Sequence, residues 1–130
     1  MSYTTYRYAN LDVTPAVQVP TGTIQVALDV TNTGSRVGDE IVQLYVSDLV
    51  TSIVYYDKVL RGFERVALKP GETKRVRFTL GPDDLMLLDR DMHWTVEPGR
   101  FDVLVGAASE DIRLRGSFEI AAAPTGKRGR

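Results

Sequence analysis

The chain has 130 residues, a formal net charge of −1, 43% hydrophobic and 25% charged residues, and no cysteine. That length allows one domain with a core of its own, and the balanced charge gives no basic footprint for nucleic acid. Disulfides and thiolate chemistry are excluded, and no apolar run approaches the ~20 residues of a membrane span.

Met1 to Thr5 do not form a basic-then-apolar leader. A first edge-like strand is expected where Tyr6, Tyr8, Leu11 and Val13 alternate with Arg7, Ala9 and Asp12. Pro15 and Pro20 then interrupt the chain. Ile24, Val26, Leu28 and Val30 make the cleanest alternation, ending at Asn32-Thr33-Gly34, where Gly34 is expected to supply a positive φ. Ser35 to Asp39 read as a polar turn.

The next strand, Ile41 to Val46, places Val42, Leu44 and Val46 on one face. Ile41 and Tyr45 make its other face apolar as well, the pattern of a central strand covered on both sides. Ser47 to Asp57 read as a connecting loop. Val59 to Leu68 return to extended structure, with a bulge or bend at Gly62. Lys69-Pro70-Gly71-Glu72 has the pattern of a type II turn.

Arg75 to Leu80 form a strand with Val76, Phe78 and Leu80 inward. Gly81-Pro82-Asp83-Asp84-Leu85 is the one helical start, one or two turns long. Trp94 to Glu97 make a short strand and Glu97-Pro98-Gly99-Arg100 a second turn. Phe101, Val103 and Val105, then Leu114, Phe118 and Ile120, mark the last two strands. Residues 121–130 lack any pattern and are expected to be a disordered tail, leaving 1–120 as the domain. Seven to nine short strands at this spacing predict an all-β fold, an antiparallel β-sandwich of the fibronectin type III/immunoglobulin-like kind.

Catalytic groups are scarce. His93 is the only histidine, and it sits between Met92 and Trp94 on a short strand, where an ordinary half-exposed residue is the simpler account. One histidine without cysteines does not furnish a zinc site. The acidic clusters are Asp83-Asp84, explained by helix-start electrostatics, and Asp89-Arg90-Asp91, whose charges alternate around an arginine. The latter lacks the spacing of an EF-hand loop. No catalytic residue, metal or cofactor is therefore expected. Ile53, Val54, Tyr55 and Tyr56 are unusually bulky for a connection and lead to Lys58. They either cap an open end of the sandwich or form an interdomain or ligand-facing surface.

Longer stretches carry a family resemblance. Asn32-Thr33-Gly34-Ser35-Arg36-Val37-Gly38-Asp39-Glu40-Ile41-Val42-Gln43-Leu44-Tyr45-Val46 resembles a signature of the fibronectin type III-like C-terminal domain of family 3 glycoside hydrolases, the β-glucosidases and β-xylosidases. Leu60 to Val66, Leu68 to Thr73, Asp89 to Trp94, Val96 to Phe101 and Asp111 to Phe118 continue it in order. The chain departs from the family at Ile53 to Lys58, where a Thr-Arg-Pro-like segment is common.

In that family the catalytic nucleophile and acid/base lie in preceding domains, so the resemblance transfers no catalytic residue to this chain. It implies a non-catalytic accessory domain that packs on the catalytic domains of a glycosidase and stabilises them, with carbohydrate at the cleft rim as a further partner. The chain would then be a piece of a longer protein, and the resemblance leaves its compartment open. A stand-alone carbohydrate- or protein-binding module is the alternative.

Overall fold

The computed structural model describes residues 5–48, 58–85, 87–88, 94–95 and 98–122. Among these residues ten strands and one helical turn follow in chain order: β1 (Tyr6–Thr14), β2 (Val17–Gln18), β3 (Ile24–Asn32), β4 (Gly38–Asp48), β5 (Lys58–Leu68), β6 (Thr73–Leu80), α1 (Pro82–Leu85), β7 (Leu87–Leu88), β8 (Trp94–Thr95), β9 (Gly99–Ala108) and β10 (Asp111–Ile120). A three-stranded sheet in the order β1-β3-β6 faces a five-stranded sheet in the order β2-β10-β9-β4-β5, and β7 pairs with β8 as a small ribbon. Pairing is antiparallel except where β2 runs parallel to β10.

Alternation builds the core. Ile24, Val26, Leu28 and Val30 of β3 are wholly buried, as are Val42 and Leu44 of β4 and Val103 and Val105 of β9. Phe101 and Phe118 pair across β9 and β10, and their rings stack with centroids 5.2 Å apart. Leu85 of α1 joins the same core, while the Asp84 carboxylate accepts the Gly81 N–H at 2.8 Å and so closes the first turn. Side-chain periodicity of two on paired strands thus produces two buried faces and one core.

The turns match the sequence in part. Gly71 has φ 79° and the Glu72 N–H donates to the Lys69 carbonyl at 2.9 Å, as a type II turn requires. The ladder between β4 and β5 slips at Leu44/Tyr45, opposite Gly62; this is the expected bulge. Gly34, however, is not among the residues with positive φ. The Asn32 side chain makes that turn instead: its Oδ1 accepts the Gly34 N–H at 2.8 Å, and its Nδ2 donates to the carbonyls of Arg36 and Leu68 at 2.7 and 3.0 Å. An Asx-type turn needs no left-handed residue at that position, and β4 starts at Gly38, within the expected turn.

Candidate docking surface

The two outer faces of the sandwich differ in chemistry. On the three-stranded sheet, cross-strand rows read Ala9–Asp29–Arg75, Asp12–Ala27–Arg77 and Thr14–Gln25–Thr79. Asp29 accepts from Asn10 Nδ2 at 2.8 Å and from Arg75 at 3.0 Å, and Arg75 also reaches Asp12 at 3.2 Å. These bonds, that from Asn10 foremost, hold the Asp29 carboxyl below its ordinary range. This is a water-facing surface.

The outer face of the five-stranded sheet carries three rows of another kind. Lys58, Ser47 and Asp102 form one, Leu60, Tyr45, Leu104 and Arg115 the next, and Phe63, Gln43 and Gly106 the third. Ile41 follows, opposite Arg65. Phe63 is 66% exposed, and Leu60 and Ile41 are each 46% exposed. Tyr45 and Leu104 sit between the flanking side chains and are nearly buried. The Tyr45 hydroxyl donates to Gln43 Oε1, and Lys58 Nζ lies 5.9 Å from the centre of the Tyr45 ring. The result is an apolar band with Lys58, Arg65 and Arg115 at its margins, the anatomy of a protein interface: an apolar centre and a charged rim.

The bulge creates this band. In a regular strand Leu60 and Phe63, three residues apart, point to opposite faces. The extra residue between them brings Leu60 opposite Tyr45 and Phe63 opposite Gln43, on one face. Gly62 turns inward, where a Cβ would stand 3.0 Å from the Phe78 ring.

A family model described as a fibronectin type III-like domain matches residues 40–109. The chain belongs to the fibronectin type III-like domain family. The domain is 47% identical over 115 residues to a β-xylosidase of Formosa agariphila, and 39% identical over 120 residues to the β-glucosidase BoGH3A of Bacteroides ovatus. These alignments cover 88% and 92% of the domain but only 16% of each relative. A solved β-glucosidase structure from Erythrobacter marinus superposes with a TM-score of 0.84 at 34% identity, over 93% of the domain and 16% of that chain. The chain thus spans about a sixth of the length of the relatives it matches.

Of the loop residues read from the sequence, Ile53, Val54, Tyr55 and Tyr56 lie outside the described residues, as do Asp89, Arg90, Asp91, His93 and the tail from residue 123. Lys58 is described: it is exposed on the first residue of β5, at the margin of the apolar band. Sequence reasoning found Ile41 and Tyr45 as a second apolar face but missed Leu60 and Phe63, whose shared side depends on the bulge. Among the described residues no group of three or more His, Asp or Glu could hold a metal ion.

A second polar cluster belongs to the domain's own architecture. The Tyr8 hydroxyl donates to Glu40 Oε2 at 2.7 Å, and burial followed by that bond raises the Tyr8 pKa. Arg113 lies 5.0 Å over the Tyr8 ring, donates to the Tyr6 carbonyl at 2.7 Å and grips Asp111 with two hydrogen bonds. The hydrogen bonds from Arg113 lower the Asp111 pKa. Arg113 thereby joins β10 to β1, and Tyr8 joins β1 to β4.

Proposed function

We propose that residues 1–120 are a non-catalytic accessory domain of a larger glycosidase of the family 3 β-glucosidase/β-xylosidase kind. In this reading the outer face of β4 and β5 packs on the catalytic domains and stabilises them. One observation carries the reading: the chain aligns over nearly all of itself with glycosidases that are about six times longer. Hydrolysis of a glycosidic bond needs two carboxyl groups facing one another across the sugar. Among the described residues, Asp12, Asp29, Asp39, Asp102 and Asp111 are each ion-paired with an arginine. The chemistry is assigned to the remaining five-sixths of the parent, and the 130-residue chain alone is expected to leave nitrophenyl glycosides intact.

The test deletes this domain from the parent enzyme. A lower melting temperature together with reduced activity supports the reading; unchanged values of both refute it. A second reading, sugar binding by the domain itself, draws on the exposed ring of Phe63. Calorimetric titration of the chain with xylo- and cello-oligosaccharides separates the two, since the packing reading predicts no heat.

A further inference from the structure

Beside the apolar band, a depression of about 220 Å³ opens on the same outer face, lined by Ser47, Lys58, Asp102, Leu104 and Arg115. Ser47 and Asp102 are opposite one another on β4 and β9, with Lys58 opposite Ser47 on β5 and Arg115 opposite Leu104 on β10. The backbones of β5 and β10 stand roughly 14 Å apart, three strand spacings. The long side chains of Lys58 and Arg115 line the depression from its two flanks.

Among the described residues that line it, the cations outnumber the carboxylates. Asp102 is engaged with Arg100 Nε at 3.4 Å. Lys58 Nζ lies over the Tyr45 ring, and among the described residues neither Lys58 nor Arg115 has a carboxylate partner. Ser47 is only 4% exposed, yet its Oγ has no hydrogen-bond partner. A buried hydroxyl without a partner is costly. An acceptor that takes this donor and two cations removes the deficit.

We propose that this depression is a socket for a carboxylate side chain, Asp or Glu, presented by the catalytic portion of the same polypeptide. The inference rests on the packing reading above and adds its polar chemistry. A planar carboxylate matches the donor fork of Arg115, while Lys58 supplies a point charge and Ser47 a hydroxyl donor. Charge complementarity argues for this occupant: the apolar band beside the socket provides contact area, and the socket fixes the register in which that area docks.

The experiment compares Lys58→Met and Arg115→Met, which keep the aliphatic stems, in the 130-residue chain and in the full-length parent. Arg77→Met, on the opposite sheet, controls for net charge. The socket predicts no change for either variant in the isolated chain. In the parent each lowers the melting temperature by roughly 1–2 °C, and the loss shrinks in 1 M salt, where the screening length is about 3 Å. Arg77→Met leaves the parent unchanged. If the two socket variants behave as Arg77→Met while deletion of the domain still destabilises the parent, the socket is overturned and the packing reading stands. If deletion is also silent, both fall. If free glucuronate binds the isolated chain and both variants abolish binding without affecting the parent, the depression is a ligand site and the interdomain socket is overturned.

Discussion

Replacing Asn32 with alanine removes three side-chain hydrogen bonds that join the β3–β4 turn to the end of β5. Asn32 is wholly buried, and its amide donates to Arg36 and Leu68 while its oxygen accepts from Gly34. Its backbone also binds Glu72 and Gly71, so one residue ties three segments together. Each hydrogen bond contributes about 0.5–1.5 kcal/mol net, and a buried carbonyl left unpaired adds to the loss. The cost of Asn32→Ala is therefore about 2–4 kcal/mol, a large share of the roughly 5–15 kcal/mol that stabilises a domain. With a slope of about 2 kcal/mol per molar urea, the unfolding midpoint of the chain falls by about 1–2 M at unchanged slope. Asn32→Asp costs more than Asn32→Ala, because a buried carboxylate cannot donate to Arg36 or Leu68 and faces both carbonyls with a negative charge. Two results refute the reasoning: a midpoint shift below about 0.3 M for alanine, or a milder effect for aspartate than for alanine.

Gly106→Ala places a Cβ against the Asp111 carbonyl oxygen, so the β9–β10 hairpin must shift, and urea unfolding shows a loss of about 1–3 kcal/mol. Asp29 has its pKa lowered in the folded state, so its contribution is complete above the ordinary carboxylate value of about 3.9 and is lost as pH falls through the lower folded value. Asp29→Asn accordingly weakens the chain at pH 7, and its deficit against the wild type shrinks below pH 4 in acid-titrated unfolding. Phe63→Asp has opposite consequences in two settings: on the isolated chain, where the ring is exposed, stability is unchanged within about 0.5 kcal/mol, whereas the parent enzyme loses melting temperature. Equal effects in both settings would count against docking through β5.

The strands were legible because burial on alternate sides leaves its period in the sequence, as in Ile24 to Val30 and in Phe101 to Val105. The Lys69–Glu72 turn and the Gly62 bulge were legible because proline and glycine report backbone angles locally. Asn32 was not, since its role depends on Leu68 and Glu72, both more than thirty residues away. Gly34, two residues on, carries the local turn signal, but the turn is made by the Asn32 side chain. The apolar face proposed for docking was half legible: Ile41 and Tyr45 declare a second apolar side of β4, but Leu60 and Phe63 share that side only because the strand slips between them. Lys58 stands out in the sequence as the end of an apolar run, whereas its neighbours across the sheet, Ser47, Asp102 and Arg115, are joined to it by register alone.

Hydroxyl-radical footprinting of the isolated chain and of the parent enzyme, read by mass spectrometry, tests the packing claim most directly. Phe63 and Val37 are equally exposed in the chain, at 66% each, but only Phe63 lies on the proposed face. The account predicts that Phe63 and Leu60 lose reactivity in the parent while Arg77 on the opposite sheet remains as accessible as before. Phe63 oxidised at the same rate in both would contradict it.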